Sequence, residues 1–163
     1  MKLLTTIFTL IFFTAITFAQ TNKPKETSNS KPFVLGTIEE IQSTQLGEKR
    51  TLNIYLREGY KQNDTTKYPV IYLLDGSADE DFIHIVGLVQ FNSFSWINRV
   101  PKSIVVGIAN VDRQRDFTYP TTIEVDKKRF PKIGHSEKFI AFSEKELQPF
   151  ILRRCLCSKR FCE

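Results

Sequence analysis

Two short apolar runs constrain the fold of this 163-residue chain more than any other feature. Val70–Leu74 and Ile104–Ala109 are continuous runs of aliphatic residues, glycine and one tyrosine, and turn-forming residues bound each of them. Such runs are typical of strands that are buried on both faces of a mostly parallel sheet. Between them, Ala78–Ile97 carries acids in its first turn and apolar residues at helical spacing, which predicts a crossover helix. This strand–helix–strand order predicts an α/β sheet.

The segments before these runs predict an antiparallel hairpin. Phe33–Ile41 and Lys49–Leu56 alternate apolar and polar residues in part, as half-buried strands do. Leu46-Gly47 and the polar residues beside it supply the turn between them.

The segments after the first helix complete the predicted fold. The helix pattern breaks at Asn92-Ser93, and the polar segment Asn110–His135 predicts a long loop. Ser136–Phe150 predicts a helix with Ser136 as its cap. The expected apolar stripe of that helix is Phe139, Ile140, Phe142 and Leu147. The predicted class is therefore α/β, with an antiparallel hairpin followed by parallel strands and covering helices.

The first 19 residues have the build of a secretory signal peptide. Lys2 precedes an apolar stretch from Leu3 to about Thr17, and Ala19 is a small residue suited to cleavage. A membrane anchor is the alternative, but the stretch is shorter than the roughly 20 apolar residues that a span needs. We predict cleavage after Ala19, export to the periplasm or the medium, and no stable membrane anchor. Residues 20–31 are polar and predict a flexible lead-in to the domain.

The formal charge of +5 does not indicate a nucleic-acid-binding surface. Lys2 accounts for one positive charge and residues 151–163 for a net three, which leaves +1 for residues 20–150. A nearly neutral body offers no basic face to a phosphate backbone. We therefore predict that nucleic acid is not a partner.

All cysteines lie within the last 13 residues of the chain. They are Cys155, Cys157 and Cys162. Because three is an odd number, an exported chain would keep a free thiol or pair it between molecules. The spacing matches no common zinc site, so we predict no metal. We expect residues 152–163 to be foreign to the fold, through a shifted reading frame or a truncation junction, and the domain to cover residues 32–151.

The end of the first apolar run is the most informative motif. Leu74 is followed by Asp75-Gly76-Ser77, which places a tight turn at the carboxyl edge of the sheet, where open α/β folds bind ligands. We expect Gly76 to turn the backbone without Cβ strain, so that the Ser77 amide points into a crevice as an oxyanion donor. The alternative is an ordinary strand–helix turn in which Asp75 caps the helix.

Four segments in order carry a resemblance to a known family. They are GTIEEIQSTQLGEKRTLNIYLREGY, YPVIYLLDG, SIVVGIANVDRQRDFTYPT and SEKFIAFSEKELQPFI, and together they cover Phe33–Ile151. The sequence resembles the N-terminal half of the esterase D-like branch of the α/β-hydrolase fold, which includes siderophore esterases, feruloyl-type esterases and mycolyltransferases. The resemblance implies an incomplete α/β-hydrolase sandwich. It also implies hydrolysis of a small-molecule carboxylic ester through a Ser-His-acid triad in the full-length family, without a cofactor.

The resemblance also implies roles for two short segments. In the family, the residue after the strand-end glycine donates a backbone N–H to the oxyanion hole, and that position is Ser77 here. Asp75 and Gly76 form the turn that supports it. A charged segment near the rim of the family's active site corresponds to Asp112, Arg113, Arg115 and Asp116. These four side chains are expected to line or brace the substrate cleft, with an exposed charged turn as the alternative.

The nucleophile motif of the family is missing from this sequence. G-x-S-x-G occurs nowhere in the 163 residues. The family's chain order is Ser, acid, His, and neither His84 nor His135 fits that order, so we expect both to be structural or surface residues. We therefore predict no catalytic residue in this chain and no esterase activity from it alone.

Three functional hypotheses remain open. The first is a secreted or periplasmic esterase-type hydrolase that lacks its triad, the second a non-catalytic exported binding module, and the third a disulfide-linked structural protein. Self-association is expected through a sheet edge at Val70–Leu74 or through the three cysteines, because an exposed strand edge pairs readily with another chain.

Overall fold

The computed structural model describes residues 29–61 and 66–155. Residues 29–33 belong to an N-terminal unit and carry no regular secondary structure, whereas Val34 onward forms the unit that holds every described helix and strand. The predicted signal peptide, most of the predicted lead-in, Cys157 and Cys162 lie outside the described residues. No described helix is long and apolar enough to cross a bilayer.

A four-stranded sheet forms the centre of the second unit. Its strands are β1 (Thr37–Ser43), β2 (Glu48–Tyr55), β3 (Val70–Leu74) and β4 (Ile104–Ile108). Their order across the sheet is β1-β2-β4-β3. β2 is antiparallel to both of its neighbours, and β3 runs parallel to β4. The predicted α/β class, with an antiparallel hairpin followed by parallel strands, is confirmed.

The hairpin is shorter at its start than predicted. β1 begins at Thr37, which pairs with Ile54, and not at Phe33. Because β2 ends at Tyr55, one residue after the partner of Thr37, the chain before β1 has almost no residue of β2 left to pair with. The turn falls at Gly47 as predicted, with a positive φ of 70° that glycine adopts without Cβ strain.

The described helices lie between and after the strands. They are α1 (Phe82–Asn92), α2 (Arg113–Asp116), α3 (Glu124–Arg129), α4 (Ser136–Phe142), a π-helical segment (Ser143–Leu147) and α5 (Gln148–Arg154). The polar segment predicted as a loop thus contains two short helices, α2 and α3.

Helix α1 ends at Asn92 as predicted but begins four residues after the predicted start at Ala78. The amide of Glu80 donates to the carbonyl of Ser77 at 3.1 Å, which closes a turn ahead of the helix. Because of this turn, the acids of residues 79–81 precede the helix and its first turn holds none. The prediction that acidic residues occupy the first turn of this helix is therefore wrong.

The last predicted helix is longer than expected and is capped differently. It continues from α4 through the π-helical segment to the end of α5 at Arg154. Ser136 is buried as the first helical residue, and His135 occupies the N-cap without a side-chain hydrogen bond, so the predicted Ser136 cap is wrong. Of the predicted apolar stripe, Ile140 is exposed and the other three members are buried.

β4 is the buried centre of three layers. All five of its residues are buried, and successive side chains face opposite sides of the sheet. The core on the α1 side consists of Tyr55, Phe82, Val86, Val89 and Val105. The core under the last helices includes Leu52, Ile54, Ile104, Val106, Phe142, Leu147 and Ile151. Burial of β4 on both faces was predicted from its apolar run, and it is confirmed.

β3 is less buried than predicted. Its first four residues are half-buried and Leu74 is 45% exposed. The prediction of a strand buried on both faces is therefore wrong. β3 is the end strand of the described sheet, with β4 beside it, so the predicted sheet edge at Val70–Leu74 is confirmed for the described residues. Self-association through this edge stays a prediction.

The carboxyl end of α5 packs into the main core. Cys155, directly after the helix, is buried there, so the ordered fold passes the predicted boundary at residue 151. Residues 156–163 lie outside the described residues, and the foreign origin of the tail stays a prediction.

Two glycines allow the turn after β3 to lie directly on β4. A Cβ atom on Gly76 would lie 2.4 Å from the Cα of Gly107. A Cβ atom on Gly107 would lie 2.3 Å from the carbonyl oxygen of Gly76 and 2.7 Å from the ring of Phe82. Because neither position has room for a side chain, the backbone of the turn is held at a fixed place over the end of β4.

Replacement of Gly107 by alanine is expected to destabilise the fold by about 3 kcal/mol, because the methyl group would force two backbone segments apart. Gly87 in α1 is the matched control, since a Cβ atom there would meet nothing within 4 Å. Gly87→Ala is expected to stabilise the helix by up to about 1 kcal/mol. Urea unfolding measures both effects, and equal stability of the two variants would contradict the close contact at Gly107.

Candidate functional site

The carboxyl ends of two parallel strands meet at one edge of the sheet. Leu74 pairs with Ile108 at the last position of the β3–β4 ladder. The turn of residues 75–77 and the segment of residues 110–113 leave the sheet side by side at this edge. This is the place where open α/β sheets bind their ligands.

Two hydrogen bonds hold the Gly76 backbone. Its N–H donates to the carbonyl oxygen of Ile108 at 3.0 Å. Its carbonyl oxygen accepts from Nδ2 of Asn53 at 2.8 Å, and both Asn53 and Gly76 are buried. The next amide, that of Ser77, makes a long bond of 3.4 Å to Oε2 of the exposed Glu80. The Ser77 N–H is therefore a weakly engaged donor beside a firmly held carbonyl.

Asp75, and not Gly76 as predicted, adopts the unusual backbone conformation of the turn. Its φ is +54°, in the left-handed region, whereas Gly76 is required for its close contact with Gly107. The Asp75 carboxylate accepts from Nδ2 of Asn110 at 2.8 Å and pairs with Nε of Arg113 at 3.0 Å. These two partners stabilise the strained turn. The alternative in which Asp75 caps α1 is wrong, because Asp81 occupies that cap position.

A largely buried ion-pair network connects β2 with α2, the helix that begins at Arg113. Nη2 of Arg50 lies 2.5 Å from Oδ2 of Asp116, and both residues are 1% exposed. Arg115 binds the other oxygen of Asp116 at 2.7 Å and Oε1 of Glu48 at 2.6 Å. Arg50 also contacts that glutamate oxygen at 2.6 Å. Two cations and two anions therefore neutralise one another and join β2 to α2.

The network fixes the charges of its members. Burial by itself raises the pKa of Asp116, but hydrogen bonds from Arg115 and Arg50 outweigh it and hold that pKa below its usual value. Hydrogen bonds to Asp116 and Glu48 raise the pKa of Arg115 further above its already high value. Asp116 and Arg115 thus stay charged at neutral pH. Their chemistry suits a structural brace and not proton transfer.

The four residues predicted for the cleft rim separate into two groups. Asp112 accepts from the amide of Arg115 at 3.0 Å and thereby caps α2. Arg113 is 70% exposed on its side chain and reaches the Asp75 turn. Arg115 and Asp116 belong to the buried network, so an exposed charged turn is the wrong description for Asp116. A bracing role fits this pair, and a lining role fits only Arg113.

Both histidines are exposed, in agreement with the predicted surface role. His84 lies on α1, and His135 lies at the start of α4. Within residues 29–61 and 66–155, no three His, Cys, Asp or Glu side chains come together as a metal site.

Three residues of the site were missed from the sequence. They are Asn53, Gly107 and Asn110. Signals existed for two of them, since an asparagine among apolar strand residues and a glycine inside an apolar run each suggest a close backbone contact. Asn110 stands in a polar segment, where nothing in the local pattern distinguishes it.

Comparison with known proteins identifies the family. The family described as "Putative esterase" matches residues 43–155, which is more than half of the chain. The chain belongs to this esterase family. The family expected from the four sequence segments is therefore confirmed.

Individual relatives show the same relationship. Ferri-bacillibactin esterase BesA of Bacillus subtilis (strain 168) is 27% identical over 146 residues, which cover 82% of this chain and 50% of BesA. An IroE-like serine hydrolase from Shewanella oneidensis is 35% identical with a TM-score of 0.66, covering 75% of this chain and 39% of that protein. The BES protein from Bacillus cereus is 25% identical with a TM-score of 0.63, covering 80% of this chain and 52% of that one. The chain thus spans about half the length of the curated relative that it matches.

Asp116→Asn is expected to destabilise the protein by about 3 kcal/mol at neutral pH, because the buried Arg50 loses its buried anion and keeps only the half-buried Glu48 as a counter-charge. The pKa of folded Asp116 lies below the value of about 3.9 expected for the unfolded chain, so the unfolded state takes up the proton first. Its contribution to stability is therefore complete above about pH 5 and is lost as the pH falls through the folded pKa.

Urea unfolding between pH 7 and pH 3 measures both effects, with Glu40→Gln as the control. Glu40 pairs with Lys49 on the surface at 2.9 Å, and its replacement is expected to leave the unfolding midpoint unchanged. An Asp116→Asn variant as stable as the parent at pH 7 would refute the bracing role.

Proposed function

We propose that this chain forms the oxyanion-hole side of a carboxylic ester hydrolase. The observation that carries the proposal is the turn after β3, in which a held Gly76 carbonyl precedes the weakly engaged Ser77 N–H at the carboxyl edge of the sheet. An N–H aimed at the place where negative charge develops stabilises the tetrahedral intermediate of acyl transfer. In this proposal Ser77 contributes its backbone and not its hydroxyl.

The remaining parts of such a site are a nucleophile, its base and a second donor. In α/β-hydrolases the second donor is the amide after the nucleophilic serine of G-x-S-x-G. This sequence contains no such motif. The arrangement of residues 75–77 can therefore stabilise an oxyanion but cannot by itself generate one.

The proposed substrate is a small-molecule carboxylic ester of the siderophore type. Support comes from BesA, whose name specifies ferri-bacillibactin, and from the family match over residues 43–155. Because the chain spans about half of BesA, the activity and substrate of a complete enzyme belong to this proposal.

We expect the purified 163-residue chain to release no nitrophenol from a short-chain nitrophenyl ester above a heat-denatured control. The reason is that a lone amide donor has no nucleophile to serve. Ser77→Ala keeps the amide and removes the hydroxyl, so it is the informative variant. Turnover that Ser77→Ala abolishes would show that the hydroxyl is the nucleophile and would overturn the assignment. Ester binding without turnover would favour the non-catalytic binding module.

We also propose that the chain is exported with cleavage after Ala19. The support is Lys2, the apolar stretch that follows it and the small residue at the cleavage point. N-terminal sequencing of protein from the periplasm or the medium is expected to begin at Gln20. Full-length protein beginning at Met1 in the membrane fraction would contradict the proposal.

A further inference from the structure

We propose that Asn53 is a positioning residue for the Ser77 amide. The inference rests on the proposed function, in which that amide is the oxyanion donor. Asn53 would act through the Gly76 carbonyl, without touching the substrate.

Asn53 is an unusual residue for its place in the fold. It lies in β2, pairs with Gly107 of β4, and is only 3% exposed. Asparagine is disfavoured in strands, and a buried amide is costly unless it is hydrogen-bonded. The bond from its Nδ2 to the Gly76 carbonyl oxygen, at 2.8 Å, satisfies this requirement.

Gly107 provides the space in which this bond forms. The Gly76 carbonyl oxygen lies 2.3 Å from the position that a Cβ of Gly107 would take. A residue with a side chain at position 107 would therefore displace the carbonyl that Asn53 binds. Because Asn53 pairs with Gly107 across the ladder, its side chain can reach over the glycine to the carbonyl oxygen of Gly76, which lies outside the sheet.

The geometry of the peptide group carries the effect to Ser77. The Gly76–Ser77 peptide is trans, as are all described peptide bonds, so its C=O and N–H point in opposite directions. A carbonyl fixed on Asn53 directs the Ser77 N–H away from β2. The bond from Gly76 N–H to Ile108 fixes a different peptide group, the one that precedes Gly76. A carbonyl that accepts a hydrogen bond also polarises its own peptide group, which strengthens the N–H as a donor.

Nuclear magnetic resonance on the full isotope-labelled chain tests the inference, with reductant present. In the unmodified chain we expect a scalar coupling across the hydrogen bond between Asn53 Nδ2 and the Gly76 carbonyl carbon. Its absence would overturn the inference without any variant.

Asn53→Leu is expected to change the residual dipolar coupling and the chemical shift of the Ser77 amide, while the couplings of the β4 amides stay within their original spread. Ser103→Ala is the matched control, because Ser103 is 2% exposed and its Oγ donates to the Pro101 carbonyl at 2.7 Å beyond the opposite end of β4. It removes a buried side-chain bond and is expected to leave the Ser77 coupling unchanged. A merely structural asparagine would give the same Ser77 response in both variants, or none.

Asn53→Ser covers the case in which the leucine variant does not fold. The serine hydroxyl is too short to reach the Gly76 carbonyl, so we expect the Ser77 amide to change in the same direction as in the leucine variant, and an unchanged Ser77 amide would overturn the inference. These measurements report the direction of an amide and not turnover. Their failure would leave the esterase proposal standing, and failure of the esterase proposal appears in the ester assay.

Discussion

The contact between the backbones of Gly76 and Gly107 is the constraint on which the candidate site depends. Neither position leaves room for a Cβ atom, so the turn after β3 is seated on β4 at a distance that only two glycines permit. β4 is in turn buried on both faces, where close packing leaves little room for its backbone to shift. The position of the Ser77 amide, the proposed oxyanion donor, is therefore set by the middle of the sheet and not by the loop that contains it.

A second constraint acts from the other side of the same sheet edge. The ion-pair network of Arg50, Asp116, Arg115 and Glu48 fastens α2 to β2. Breaking a buried pair of this kind is costly because one charge is left without a partner. Asp112 caps that anchored helix and Arg113 is its first residue, so the Arg113 side chain extends to Asp75 from a fixed backbone. The segment of residues 112–116 thus contacts the turn through the exposed Arg113, and the ion pairs of Arg115 and Asp116 hold that segment in place.

Short sequence patterns predicted the strands and turns, because these depend mainly on residues that are neighbours in the sequence. β3 and β4 could be read from apolar runs, because burial on a sheet requires apolar side chains, and the Asp75-Gly76 turn could be read from its residue types. The exposure of Leu74 could not, because it depends on which strands lie beside β3. The pairing of Arg50 with Asp116 joins residues 66 positions apart, and no spacing rule covers such a distance. The hydrogen bond from Asn53 to the Gly76 carbonyl depends on the packing of the β3 turn over β4, which is a property of the tertiary fold.

The oxyanion donor proposed at Ser77 is a backbone N–H, and this has a consequence for how sequence change would affect the proposed site. Almost any side chain at position 77 carries the same N–H, so this position tolerates variation without loss of the donor. The information that specifies the donor is held at positions 53, 76 and 107, which lie on other elements or under the turn. Under the proposed function, a complete mutational survey of the chain would therefore map the site onto a patch of buried sheet, and side-chain changes at position 77 would have little effect.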